Sequence, residues 1–286
     1  MMLDYDSAML IATTTVTAPI ALPLIITWAG LIAVVGAAGV FAPWLAGRNG
    51  NGNAIAYGNS FAGGVLLAAG LIHLLGDADA GFAEAYPDLD YPAAFAVATF
   101  AFIFVLALER VIPRAIESGV GAGADDPESA ALIDAGGTSG LTPFLLLITL
   151  SIHSLIAGLT LGISSAAGAT VLLIAILAHK GAAGFALGST FREAAIAPRT
   201  RIPALLVFVG STPLGVILGG IAVETFGSGS GAAEAWFKAV AAGTFLYIAT
   251  LDVVREEFFP GGSNRAQRLA CTVIGAGVMA LVAIWT

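Results

Sequence analysis

The sequence predicts an all-α integral membrane protein, and three observations lead to that prediction. Of the 286 residues, 58% are hydrophobic and only 10% are charged, whereas a soluble domain of this length needs far more charge on its surface. Apolar stretches of roughly 20 residues, the length that an α-helix needs to cross about 30 Å of hydrocarbon, recur along the chain. Two of these stretches carry a similar pattern around a central histidine. We therefore expect residues 1–286 to form a single transmembrane domain.

Eight stretches have the length and composition of a spanning helix. In chain order they are residues 21–46, 54–75, 92–111, 141–163, 169–190, 202–223, 237–258 and 269–285. The longest connection, at about residues 113–140, is glycine-rich and acidic and has no apolar periodicity. Such a segment cannot bury enough apolar surface to fold on its own, so we predict a mobile cytoplasmic loop.

The charged residues predict how the helices are oriented. Arginines follow the first, third, fifth and seventh stretches, at Arg48, Arg110, Arg114, Arg192, Arg199, Arg201, Arg255, Arg265 and Arg268. The opposite connections are acidic and contain Asp77, Asp79, Glu84, Asp88, Asp90, Glu224 and Glu234, with Lys238 beside them. Because basic loops stay in the cytoplasm, both termini are predicted to be extracytoplasmic. The acidic outer face would concentrate cations and argues against nucleic acid as a partner, although acidic loops also remain wherever basic residues are excluded.

The fourth and fifth stretches share a sequence pattern. His153 begins HSLIAGLTLG and His179 begins HKGAAGFALG, which agree at the histidine and at four of the nine later positions. Two consecutive helices that cross in opposite directions with one pattern indicate an inverted repeat, in which transporters place their sites at the midplane. A turn halfway between the histidines would set both near mid-bilayer. Glycine pairs, Gly158 with Gly162 and Gly184 with Gly188, predict close helix packing.

The two histidines predict a metal site. A polar residue at this depth costs a few kcal/mol, so an intramembrane histidine is a functional hypothesis, and neutral imidazole is the commonest transition-metal ligand. The alternative is that His153 and His179 hydrogen-bond across the helices for structure. Two histidines are too few for tetrahedral zinc, and the candidates to complete the site are Ser154, Asn59 or Ser60 of the second helix, and water.

Three further polar groups are candidates for a pathway. His73 and Asp77 are four residues apart on one helical face and would form a capture site at the outer entrance, unless His73 merely reaches the interface beside a loop carboxylate. Asp252 lies inside the seventh stretch, where it could pair with Lys180 or Lys238 or belong to the exit path.

These motifs together resemble the ZIP family of zinc- and iron-regulated-transporter-like metal transporters. The HSxxxGxxxG pattern of the family's fourth helix is matched from His153 to Gly162, and the HKxxxG or HxxxEG pattern of its fifth from His179 to Gly188. Residues 61–77 (FAGGVLLAAGLIHLLGD), 212–215 (TPLG) and 243–258 (GTFLYIATLDVVREEF) resemble its second, sixth and seventh helices. The resemblance implies alternating access, a divalent metal as substrate and a homodimer.

The sequence departs from the family at two positions. Many relatives have a carboxylate four residues after one or both histidines, and these carboxylates build a two-metal site; here the positions are Ala157 and Ala183. Lys180 would act as a tethered stand-in for the second cation or would face another direction. The sequence leaves both alternatives open.

The predicted function is a divalent-metal transporter that moves ions toward the cytosol through a midplane histidine site. Zinc is the first expected substrate, followed by Fe²⁺, Mn²⁺ and Cd²⁺, and no resident cofactor is expected. The predicted location is the plasma membrane, and the predicted partners are the metal ion, the lipid bilayer and a second copy of the chain. No HExxH motif or nearby general base is present in the sequence, so no enzyme is predicted. The alternative is a transport-impaired relative that binds or senses metal.

Overall fold

The computed structural model of the protein describes residues 22–47, 52–111, 142–164, 166–226, 231–258 and 264–285. These residues are almost entirely helical, and no strand occurs among them. The loop predicted at about 113–140 and both chain termini lie outside the described residues. The prediction of an all-α protein is confirmed for the part of the chain that the structure describes.

The described residues form helices in the order that the sequence predicts. They are α1 (Leu22–Ala46), α2 (Gly52–Ala85), α3 (Ala93–Leu106, continued by Ala107–Val111), α4 (Thr142–Ile163), α5 (Ala166–Glu193), α6 (Pro198–Phe226), α7 (Gly231–Tyr247, continued by Ile248–Val254 and Arg255–Phe258) and α8 (Arg265–Val282). Six of them, α1, α2, α4, α5, α6 and α8, are long and apolar enough to cross a membrane. The apolar part of α3, Ala93–Glu109, is shorter. Helix length and composition therefore support six of the eight predicted spans.

Helices α2, α3 and α7 each contain a π-helical segment. The segments are Ala69–Leu74 in α2, Ala107–Val111 in α3 and Ile248–Val254 in α7. A π segment adds a residue to the turn, which shifts the facing of every later side chain, and it is frequent at functional sites. The segment in α2 contains His73 and packs against α7, and the segment in α7 packs against α2.

The glycine pair of α4 brings this helix against α6. A Cβ atom added at Gly158 would overlap the carbonyl oxygen of Thr212, and one added at Gly162 would overlap the backbone around Gly219. In return, a Cβ atom on Gly215 of α6 would meet the backbone of α4. The two helices therefore pack with their backbones in contact, which is possible only without side chains at the crossing.

The glycine pair of α5 faces a different helix. Gly184 lies against Gly36 and Gly39 of α1, and Gly188 lies against Val40 of the same helix. The shared glycine pattern suggests that the glycines bring α4 and α5 together, but the structure shows otherwise. The glycines of α4 pack against α6, and those of α5 pack against α1. Helices α4 and α5 contact each other through other faces, where the histidines lie.

The bundle has a basic end and an acidic end. At one end Arg192 packs against Gly47, and Arg201 lies over the ring of Trp44 at 4.9 Å. At the other end Asp77 of α2 pairs with Lys238 of α7. This separation agrees with the alternation of basic and acidic connections along the sequence.

A Gly158→Ala substitution tests the α4–α6 contact. The added methyl group would overlap the backbone of α6, and overpacking of this kind costs about 1–3 kcal/mol. We expect a lower midpoint of thermal unfolding for the purified protein in detergent. Gly210→Ala in α6 is the matched control, because nothing lies within 4 Å of the added atom. Equal midpoints for the two variants would contradict the close crossing.

Candidate metal site

All three histidines of the chain line one cavity inside the bundle. His153 of α4 and His179 of α5 form part of its wall, and His73 of α2 joins them. The volume of the cavity is about 30 Å³, which is enough to hold a group of the size of a water molecule. The sequence places His73 at an outer entrance, whereas the structure brings its ring to the same cavity as the other two.

His153 and His179 face each other near the middle of their helices. Their ring centroids are 5.7 Å apart with an angle of 57° between the planes, and both side chains are buried. Phe245 of α7 packs on both rings, with its centroid 4.2 Å from that of His153 and 5.7 Å from that of His179. The phenyl ring covers one side of the pair with an apolar surface that excludes water.

The hydrogen bonding of His153 argues for a ligand role. Both of its ring nitrogens are buried and have no hydrogen-bond partner among the described residues. The structural alternative, a hydrogen bond from His153 to His179, is therefore not formed. A buried polar atom without a partner costs about 1–3 kcal/mol, so such an atom calls for an explanation, and a bound ion would supply one.

The coordination sphere is not complete within the described residues. No three His, Cys, Asp or Glu side chains among them are arranged to hold a metal ion. The backbone of Asp252 lies in the π segment of α7, but its side chain is outside the described part of the structure, so its pathway role stays a prediction. The structure thus shows a histidine pair with His73 on the same cavity wall.

Lys180 and Ser154 form a polar contact of their own. The Lys180 Nζ atom donates hydrogen bonds to Ser154 Oγ and to the backbone oxygen of Phe208, both at 3.0 Å. The ammonium also lies 3.6 Å from the centroid of the Phe208 ring. Neither Lys180 nor Ser154 is among the residues that line the histidine cavity. The Lys180 ammonium thus donates to Ser154 and to the Phe208 carbonyl, and both alternatives for its role stay predictions.

The candidates on the second helix lie in another part of the bundle. Asn59 Nδ2 donates a hydrogen bond of 3.0 Å to Glu257 Oε1, and Glu257 pairs with Arg268 at 3.1 Å. Ser60 is fully buried beside Asn59. Fourteen residues of helix separate Asn59 from His73, which is about 21 Å along the axis. The structure therefore does not bring Asn59 or Ser60 to the histidines.

The positions that lack the family's carboxylates differ in their surroundings. Ala157 lines the cavity beside His153 and His179, whereas Ala183 is buried in the main hydrophobic core. A carboxylate at residue 157 would therefore reach the histidines directly. At residue 183 it would have to displace packed apolar side chains.

Sequence reasoning missed two residues at the cavity. Lys238 lines it, although its position near a predicted helix end indicates only a membrane-edge charge. Phe245 covers the histidine pair, although an isolated phenylalanine in an apolar helix gives no signal. The available signal was spacing, because Lys238 and Phe245 are seven residues apart and so lie on one face of α7.

Comparison with known proteins identifies the family of this chain. A family model described as ZIP Zinc transporter matches residues 133–283, which include both α4 and α5. The chain belongs to the ZIP zinc transporter family. Zinc transporter ZIP2 of Mus musculus is 29% identical over 261 residues, covering 78% of this chain and 82% of the relative. Zinc transporter ZIP2 of Homo sapiens is 30% identical over 224 residues, covering 73% of this chain and 70% of the relative.

A third relative matches a shorter region at higher identity. Protein zntD of Dictyostelium discoideum is 40% identical over 149 residues, which cover 51% of this chain and 22% of that protein. Membership of this family confirms a multi-pass integral membrane protein. The family consists of metal transporters and not of enzymes.

A Ser154→Ala substitution tests whether Ser154 serves Lys180 or the metal. Loss of the hydroxyl removes one of the two acceptors of a buried ammonium, which costs about 1–3 kcal/mol. We expect a lower thermal midpoint and unchanged zinc affinity in isothermal titration. Ser151→Ala on the same helix is the control, because the buried Ser151 hydroxyl has no hydrogen-bond partner among the described residues. A weaker zinc affinity for Ser154→Ala alone would make Ser154 a metal ligand.

Proposed function

We propose that this ZIP protein carries divalent transition-metal ions across the membrane toward the cytosol, with His153 and His179 as the midplane ligands. Zinc is the first substrate, with Fe²⁺, Mn²⁺ and Cd²⁺ as further candidates. One observation carries the proposal. A buried histidine with two unpartnered nitrogens faces a second buried histidine at a cavity of about 30 Å³.

The third histidine supports a more complete ligand set. The ring of His73 lines the same cavity, so a third imidazole lies on the wall that the midplane pair also forms. Three protein ligands and one water form the open tetrahedral arrangement that zinc adopts where it must also exchange ligands. A carrier has to release its ion, and a neutral three-histidine site holds a cation less strongly than one with carboxylates.

The charge distribution supports the direction. His73 and Lys238, which line the cavity, contact Asp77 at the acidic end of the bundle. Acidic groups raise the local concentration of cations, and basic groups mark the cytoplasmic side. Entry from the acidic side therefore corresponds to transport inward across the plasma membrane. The arrangement of eight spanning helices with an inverted repeat, extracytoplasmic termini and a homodimer belongs to the same proposal.

The runner-up function is metal binding or sensing without transport. It is favoured by Ala157 and Ala183, which replace the carboxylates of many relatives and leave no second metal site. Ala157 lines the cavity, so the carboxylate that many relatives have at this position is absent next to the histidines.

Zinc uptake into proteoliposomes decides between the two functions. With a fluorescent zinc indicator inside, we expect the wild-type protein to conduct zinc. His153→Ala, His179→Ala and His73→Ala should each reduce uptake to the level of empty liposomes at equal reconstitution, since each removes a ligand. Ser151→Ala serves as a control that should transport like the wild type.

Two other outcomes of this assay are informative. A wild-type protein that does not transport zinc, but still binds it and needs both midplane histidines to do so, would favour the runner-up function. Full uptake by the His153→Ala and His179→Ala variants would contradict the proposed pathway.

An Ala157→Asp substitution tests the position of the missing carboxylate. A carboxylate on the cavity wall would add a charged ligand to the neutral histidines, and we expect zinc to bind about tenfold more tightly, or about 1.4 kcal/mol. Ala157→Asn has the same shape without the charge and should give no such gain. Equal affinities of the two variants would show that residue 157 does not reach the ion.

A further inference from the structure

Phe245 closes the histidine cavity on the side that faces the basic end of the bundle. Three residues of α7 line the cavity, Phe237, Lys238 and Ala241, and Phe245 follows one helical turn after Ala241. Because α7 runs from the acidic end to the basic end, this turn lies deeper in the bundle than the cavity. The phenyl ring is fully buried there and packs on both imidazoles, with 4.2 and 5.7 Å between ring centroids.

The other helices show the same asymmetry. The lining residues of α4 run from His153 toward the acidic end, and those of α5 run from the acidic end to His179. The lining residues of α2 are His73 and Leu74, in the half of the helix nearer the acidic end. The described residues that line the cavity therefore lie level with the histidine pair or on its acidic side. Phe245 forms the floor of the cavity, directly beneath the pair.

This floor limits how many ligands an ion at the histidines can gather. A cavity of about 30 Å³ holds an ion with one or two waters, since each water-sized group needs about 10–15 Å³. Six ligands around an ion held by two or three imidazoles would require three or four groups besides the imidazoles. The phenyl ring offers no donor atom on its own side and leaves no space there for water. An ion bound to the pair is therefore restricted to about four ligands.

Coordination number separates the candidate substrates from one another. Zinc is stable with four ligands that include imidazoles, whereas Mn²⁺ favours six ligands, most of them oxygen atoms. A site that excludes additional waters therefore penalises Mn²⁺ more than zinc.

We propose that Phe245 is a specificity-determining residue, which holds an ion at His153 and His179 in four-coordination and so favours zinc over Mn²⁺. The substrate class is then that of divalent ions that are stable with four ligands. This inference rests on the proposed function, because it takes the two histidines as ligands. The coordination number itself is measurable without transport.

The test uses Co²⁺ as a probe, because four-coordinate Co²⁺ absorbs visible light strongly and six-coordinate Co²⁺ absorbs it weakly. The full-length protein in detergent is titrated with Co²⁺ alone, and the zinc and Mn²⁺ affinities follow from competition. We expect an intense band for the wild type that His153→Ala and His179→Ala each remove. Phe245→Ala opens the floor to water beside polar imidazoles. It should lower the band intensity severalfold and reduce the ratio of zinc affinity to Mn²⁺ affinity by at least roughly tenfold.

Phe191→Ala is the matched control. It removes the same ring from a fully buried position on α5, where Phe191 packs on Phe144, twelve residues or about 18 Å of helix beyond His179. This variant should lose stability as Phe245→Ala does, and it should keep the wild-type band and the wild-type selectivity. Phe245→Leu repeats the test, with an intermediate effect, if the alanine variant does not elute as a monodisperse species.

The outcomes separate this inference from the proposed function. Wild-type band intensity and selectivity in both Phe245→Ala and Phe245→Leu would overturn the inference and leave the function in place. A weak, six-coordinate spectrum of the wild type would also overturn it. A wild-type protein that shows the histidine-dependent band but takes up no zinc would count against the proposed function and leave the role of Phe245 in place.

Discussion

A polar side chain inside a membrane-spanning helix bundle has no water to bind, and this constraint organises the interior of the protein. Each buried polar group must find its partner within the bundle or bear the full cost of desolvation. Lys180 satisfies the constraint through Ser154 and the Phe208 carbonyl, and Asn59 satisfies it in part through Glu257. His153 does not satisfy it. Other buried groups, such as the Ser60 and Thr212 hydroxyls, also have no hydrogen-bond partner among the described residues, but only the imidazoles combine that state with a shared cavity and metal-binding chemistry.

The scaffold that holds the histidines depends on close backbone packing. Helix α4 is fixed against α6 and helix α5 against α1, in both cases through glycines that leave no room for a side chain. Because association within a bilayer gains little from the hydrophobic effect, such contacts carry much of the packing energy. The surface between α4 and α5 is left for the two imidazoles. Two rigid helix pairs therefore present one histidine each to a shared cavity.

The acidic end of the bundle and the histidine cavity act as parts of one electrostatic arrangement. Asp77 contacts both His73 and Lys238, so a carboxylate, an imidazole and an ammonium meet where the cavity approaches the surface. The π segment of α2 contains His73 and lies between Asn59 and Asp77. It therefore changes the direction in which the Asp77 side chain points relative to that of Asn59. An ideal α-helix with the same sequence would turn these residues to different neighbours.

The sequence by itself determined the membrane class, the family and the identity of the two central histidines. Apolar length, loop charge and the repeated HSxxxGxxxG and HKxxxG patterns are local properties, so they can be read without knowing which helices touch. Only the tertiary structure decided which polar groups meet. It brought His73 to the cavity, joined Lys180 to Ser154, and kept Asn59 with Glu257 about 21 Å of helix away from His73. These outcomes depend on which helices the glycines allow to pack together, and on the change in side-chain direction that each π segment causes. Neither follows from spacing along one helix.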